Sequence, residues 1–192
     1  MSKAFDRVWH EGLIYKLKSY GVTGPLLFLL SDFLSGRYQR VVLNGKASEW
    51  TRIKAGVPQG SILGPLFFLI YINDLPNNLE SKPKIFADDT SLFSIVIDQL
   101  LSCEELNRDL ARISEWARQW KMSFNPDPSK QAVEVYFSRR LLPANVPVLS
   151  FNNNNIVTSD FQNHLGLTLD KKLSFNHHLE EKIKRPKRAL VL

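Results

Sequence analysis

Apolar residues recur every three or four positions over residues 10–20 (Leu13, Leu17, Tyr20) and 24–35 (Leu26, Leu27, Leu30, Phe33, Leu34). This spacing predicts two amphipathic helices, closed by Gly21 and Gly36. The period then falls to two. Residues 38–43 and 49–53 predict strands joined through Asn44-Gly45, a pair that accepts the positive φ values of a tight hairpin turn. After a loop at 55–60 containing Pro58 and Gly60, residues 61–75 are apolar on nearly every side, so this helix is expected at the centre of the core. A second hairpin is predicted with Phe86-Ala87-Asp88-Asp89 at its tip, between apolar runs at 84–86 and 91–95. The longest helical pattern covers about 98–121, with Leu106, Leu110, Ile113, Trp116, Ala117 and Trp120 on one face. A turn at 125–129, a strand at 133–137, a hairpin tip at 152–155, a strand at 162–169 and a basic helix from His177 onward complete the series. Pro143 and Pro147 bracket a linker that separates 1–140 from 141–192. Helices alternating with antiparallel hairpins are an α+β pattern, in which helices cover one sheet face and leave the other to a ligand.

Composition narrows the setting. The chain has 192 residues, enough for one domain with an attached piece of a second, and its 44% hydrophobic and 23% charged residues can build a real core. The single cysteine, Cys103, rules out an internal disulfide, argues against structural zinc and suits a small buried filler. The polar start, unlike a secretory signal, and a longest apolar stretch of only 62–72 predict an intracellular, soluble protein with no membrane partner. Net charge is +6, which favours a polyanionic partner without specifying an activity. The charge is uneven. Arg37, Arg40, Lys46, Arg52 and Lys54 lie along the first hairpin, and Lys171, Lys172, Lys182, Lys184, Arg185, Lys187 and Arg188 crowd the end. Each cluster is either a nucleic-acid contact or a solvated face.

Candidate chemistry centres on Asp88 and Asp89. Adjacent carboxylates repel, and in isolation they make an ordinary acidic turn. A hard divalent cation offers the other reading, since magnesium takes one or two carboxylates together with water and substrate phosphate.

Further motifs occur in a fixed order around this pair. Ser2-Lys3-Ala4-Phe5-Asp6 comes first, then Gly56-Val57-Pro58-Gln59-Gly60-Ser61 running into Leu63-Gly64-Pro65, then Phe86-Ala87-Asp88-Asp89. Asn125-Pro126-Asp127-Pro128-Ser129-Lys130 and His164-Leu165-Gly166-Leu167 follow. In this order and over nearly the whole length, the chain resembles the reverse transcriptases of non-LTR retrotransposons. The resemblance implies a right-hand polymerase palm over 1–140, with 141–192 leading toward a thumb. It also implies RNA-directed DNA polymerase chemistry on an RNA template and a DNA primer, with deoxynucleoside triphosphates as substrates. Two Mg2+ ions about 3.5–4 Å apart would serve that chemistry. One lowers the pKa of the primer hydroxyl, and the other neutralises charge on the transferred phosphate and the leaving pyrophosphate.

Residue by residue, Asp88 matches the principal metal ligand of that family and Asp89 its less directly coordinating neighbour. Pro58, Gln59 and Gly60 match the loop that meets the template base and incoming nucleotide; a plain proline-glycine turn is the alternative. Phe5 matches the gate residue under the nucleotide sugar, or else is a core phenylalanine. Lys130 matches a lysine near the nucleotide phosphates and a proton donor to pyrophosphate, or is a solvated surface lysine. His164 and Gly166 fall in the segment resembling the primer grip, while His177 and His178 are expected at the surface. Arg37, Arg40 and Lys54 are the nucleic-acid candidates of the first hairpin.

One departure stands out. The family pattern Asp-x-Ser-Lys-Ala-Phe-Asp places its catalytic Asp immediately before Met1, so one protein ligand of the ion pair is missing here. Asp6 matches the trailing Asp and is expected to cap or charge-complement the following helix. The segment is therefore expected to be a fragment with little activity alone. The rival expectations are a catalytically dead nucleic-acid-binding remnant and a genomic remnant without function.

Overall fold

The computed structural model describes residues 1, 3–125, 132–138 and 147–184. It divides into two compact units: residues 1–94 with 108–124, and residues 95–107 with 125–192.

The first unit begins with a 3-10 turn, Ala4–Arg7, followed by α1 (His10–Ser19) and α2 (Gly24–Leu34). Leu13 and Leu17 of α1 are buried and Leu34 of α2 is 2% exposed, whereas Tyr20 and Leu26, expected inside, are half-exposed. A narrow ribbon follows, made of β1 (Tyr38–Gln39), β2 (Val42–Leu43), β3 (Lys46–Ala47) and β4 (Thr51–Arg52). Asn44 and Gly45 both take positive φ at its tip, as the primed turn requires. The register shifts by one residue along the ribbon. Tyr38 pairs with Arg52, but Val42 pairs with Ala47, so the returning strand carries one extra residue, a bulge at 48–50.

Next comes α3 (Leu63–Ile72). It buries Gly64, Phe67, Phe68, Tyr71 and Ile72, an i, i+3, i+4 stripe, and leaves Leu66 and Leu69 half-exposed. The helix expected at the centre of the core therefore buries one face. Hairpin β5 (Lys82–Phe86) and β6 (Asp89–Phe93) follows, then α4 (Gln99–Gln119), whose second half belongs to this unit. Ala117 of α4 and Trp120, just past its end, join the core with α1 and α3, and the Tyr71 hydroxyl donates to the Trp120 carbonyl. Each fully buried Phe of this core contributes about 2–3 kcal/mol by removal from water.

Two polar devices tie the unit together. Lys16 is buried, and its Nζ lies 3.7 Å above the Trp120 ring while donating to Asp74 and to the Tyr71 carbonyl, both at 2.5 Å. Burial lowers the Lys16 pKa, and Asp74 opposes that shift. Burial likewise pushes the Tyr71 phenol up to about 12. Asp109 is fully buried and accepts the N–H groups of Glu80 and Ser81 just ahead of β5, with Arg112 beside it.

The second unit holds the first half of α4, β7 (Val133–Glu134), β8 (Ser150–Phe151), β9 (Asn154–Asn155), β10 (Val157–Thr158), β11 (Phe161–His164), β12 (Leu167–Asp170) and α5 (Asn176–Lys184). The strand expected at 162–169 is a hairpin instead. Leu165 and Gly166 both have positive φ and reverse the chain between β11 and β12. Cys103 is buried, and burial raises its thiol pKa. Among the described residues the strands pair two by two, antiparallel except for β7 with β10. The architecture is thus mixed α+β.

Candidate functional site

Phe86, Ala87, Asp88 and Asp89 turn the β5–β6 hairpin, with Phe86 paired to Asp89 and Ala87-Asp88 forming the two-residue loop. Ala87 holds φ +50°, a left-handed conformation that disfavours any residue with a Cβ. Such strain persists only where surrounding structure imposes it, and it sits beside the two carboxylates. Alternation along the strands puts Asp89 with Lys82, Lys84 and Phe86 on the exposed face, while Ile85 packs on the core from the other. Asp88 is half-exposed at the tip.

The first motif lies against this tip. The Met1 ammonium donates to the Asp88 carbonyl at 3.0 Å and lies 3.8 Å from the Asp88 carboxylate. From there the chain runs into the Ala4–Arg7 turn, where Phe5 is half-buried and its ring stacks on Phe68 of α3, 4.5 Å between centroids.

The 55–61 loop is bound to the same segment. Gly56 N–H donates to the Val8 carbonyl and Val57 N–H to the Phe5 carbonyl, both at 2.8 Å. His10 Nε2 lies 2.6 Å from the Gly56 carbonyl, and a carbonyl only accepts, so that nitrogen carries the proton. Gly56 is required twice over: its φ is +94°, and a Cβ there would stand 2.8 Å from the Asp6 carbonyl oxygen. Gly64 is required by approach alone, since its Cβ would fall 2.7 Å from the Pro58 carbonyl oxygen. Ser61 completes the join, donating from Oγ to the Pro58 carbonyl and accepting the Gly64 N–H. Pro58 is half-buried, whereas Gln59 and Gly60 are exposed.

Asp6 is placed differently from expectation. Trp9, not Asp6, precedes α1, and no side chain caps that helix. The Asp6 carboxylate instead accepts a hydrogen bond from Gln59 Nε2 at 2.9 Å. The loop folds back onto the first motif, so the nearest donor to Asp6 comes from 53 residues away rather than from its own helix.

The structure therefore brings Phe5, Pro58, Gln59, Gly60, Asp88 and Asp89 into one unit, around residues 1–8. Arg37, Arg40 and Lys54 are exposed on or beside the ribbon of the same unit. His164 and Gly166 lie in the second unit, at the end of β11 and at its turn. His177 is exposed, whereas His178 is half-buried and its Nδ1 accepts the Thr168 N–H. Lys130 lies outside the described residues. The Lys16–Asp74–Trp116 node was not foreseen, although Lys16 falls three residues after Leu13 on the apolar face of α1, the one signal that marks it.

As a cation site the set is incomplete. No three His, Cys, Asp or Glu side chains among the described residues come together to hold a metal. Two adjacent carboxylates on an exposed hairpin suit a hard ion only when water and substrate phosphate supply the remaining ligands. No helix among the described residues is long and apolar enough to cross a membrane.

Residues 1–169 match the family model described as reverse transcriptase (RNA-dependent DNA polymerase). The RNA-directed DNA polymerase from mobile element jockey of Drosophila melanogaster is 34% identical over 188 residues, which cover 93% of this chain and 20% of that protein. The probable RNA-directed DNA polymerase from transposon BS of the same fly is 30% identical over 96% of this chain and 21% of its own length. The Pol polyprotein from the type-1 retrotransposable element R2 of Popillia japonica is 25% identical over 86% of this chain and 29% of its own length. The chain spans about a fifth of the length of the jockey, BS and X-element relatives.

Proposed function

Because the chain belongs to the reverse transcriptase (RNA-dependent DNA polymerase) family, as a segment of the non-LTR retrotransposon type, we propose that residues 1–140 are its palm and that 141–192 lead toward a thumb. The observation that carries this reading is the convergence of three separated motifs. The segment at 1–8 touches Asp88 at one point and the loop bearing Gln59 at another.

In this reading Asp88 and Asp89 hold Mg2+, which supplies charge neutralisation on phosphate and a lower hydroxyl pKa. Phe5 floors the nucleotide sugar, and its stack on Phe68 keeps the ring from swinging away. Gln59 meets the nucleotide or template base, and Asp6 restricts its side chain by accepting from the amide nitrogen. The role of proton donor to pyrophosphate falls to Lys130. An RNA template, a DNA primer and deoxynucleoside triphosphates are the partners. Arg37, Arg40 and Lys54 in one unit, and His164 and Gly166 in the other, contact nucleic acid.

The test is primer extension on an RNA template with Mg2+, using two forms of the protein. The chain as given is expected to extend poorly. A longer form carrying Asp directly ahead of Met1, with its preceding segment, is expected to extend well. In that longer form Asp88→Asn should cost at least ~100-fold in rate, the scale of losing one preorganised electrostatic group. Extension unchanged by Asp88→Asn would overturn the reading.

A further inference from the structure

The ribbon between α2 and α3 carries a surface that the polymerase motifs do not use. Tyr38 and Arg52 are directly paired across β1 and β4, so their side chains leave the same face. Two residues along each strand, alternation returns Arg40 and Trp50 to that face. The Arg40 guanidinium indeed sits 4.7 Å above the Trp50 ring. One face thus alternates aromatic and arginine: Tyr38, Arg40, Trp50, Arg52. Tyr38 is 57% and Trp50 59% exposed. The bulge at 48–50 falls just where Trp50 leaves the ladder, a device that re-aims side chains and strengthens twist.

Charge selects the occupant. Residues 37–54 carry five cations against one acid, Glu49, and none of the five pairs with an acidic side chain among the described residues. Aromatic residues and arginine also enrich protein interfaces, but five cations against one acid make a polyanion the better match. Duplex offers phosphates but no free base faces. A single strand offers both, and exposed aromatics beside cations are how such strands are held without sequence preference.

We propose that this ribbon face is a stacking platform for single-stranded nucleic acid. A base lies on Trp50, whose ring orientation Arg40 fixes from its other side. Arg40 and Arg52 take the adjoining phosphates, and Tyr38 offers a second ring. This deepens the polymerase reading and rests on it for the presence of a nucleic-acid strand beside the chain.

The whole chain is titrated with a 12-nucleotide thymidine strand and with an abasic strand of equal length, by anisotropy, from 50 to 200 mM salt. Trp50→Ala is expected to weaken thymidine-strand binding about tenfold and to leave the abasic strand unaffected. Trp50→Phe should recover most of that loss. Arg40→Ala and Arg52→Ala should each flatten the salt dependence for both strands, by close to one phosphate contact. A uridine strand run in parallel shows whether RNA or DNA is held better, and preference for either over the abasic strand supports the platform. Equal binding of base-bearing and abasic strands, or thymidine binding unchanged by Trp50→Ala, would overturn it. The two readings fail separately. A flat Trp50→Ala result alongside Asp88-dependent extension removes the platform alone, whereas base-dependent binding with Asp88-independent extension removes only the polymerase assignment.

Discussion

Asp109 shows how one side chain organises its surroundings. It has no solvent exposure, yet it faces two backbone N–H groups and Arg112, which together satisfy its charge. Burial opposes ionisation, but the hydrogen bonds from Ser81, Glu80 and Arg112 outweigh it and hold the carboxyl below its usual range. A depressed carboxyl pKa stabilises the fold above the unfolded value of about 4, and that stability disappears as pH falls toward the lowered value. The midpoint of urea unfolding should therefore drop as pH goes from 5 to 3, and the drop should be smaller in Asp109→Asn. At pH 7 Asp109→Ala should cost about 3 kcal/mol, because it strands the Glu80 and Ser81 N–H donors, while Arg112 keeps its pair with Glu80. Gly64 is a second residue whose identity follows from one contact. A methyl group there meets a backbone carbonyl rather than a movable side chain. Gly64→Ala should lose about 1–3 kcal/mol of stability in a denaturant melt, the usual scale of overpacking.

At the scale of elements, the helices follow the 3.6-residue pattern to within two or three residues, because each depends on neighbours three and four positions away. Hairpins follow less uniformly. Asn44-Gly45 announces its turn, since both residues tolerate positive φ. Leu165-Gly166 does not, because a leucine at φ +50° gives no turn signal, and the strand pattern therefore runs straight through it. The bulge in the 38–53 ribbon is invisible in the same way: an extra residue breaks no local rule, and only pairing exposes it. The 61–75 segment is apolar on nearly every side, yet α3 buries a single stripe, for hydrophobicity does not say which side finds a partner. Phe67→Ala on the buried stripe should cost about 3–5 kcal/mol, whereas Leu69→Ala on the open side should change the denaturation midpoint little.

Across the whole molecule, large apolar side chains lie open: Ile62 is 94% exposed, Ile97 95% and Phe28 76%. Isolated exposed apolar residues are ordinary, but this many invite association. The chain spans about a fifth of its jockey relative, so a longer polypeptide offers one cover. By itself the chain is expected to self-associate as concentration rises in sedimentation velocity, and Phe28→Lys with Ile62→Lys should shift it toward monomer. A monomer at every concentration before substitution would contradict this.

Much was determined along the chain alone. The helices, the Asp88-Asp89 hairpin and the order of motifs are local or serial properties, and these suffice to place the protein in its family. Tertiary structure decided which side chains meet. It took Asp6 away from its helix and gave it to Gln59, and it brought Met1 against Asp88. It also buried Lys16 under Trp120 and placed Arg40 on Trp50. Periodicity reports what lies three or four residues away, or across a short turn. These contacts join positions up to 104 residues apart in the chain, through folds of the backbone that no local pattern encodes.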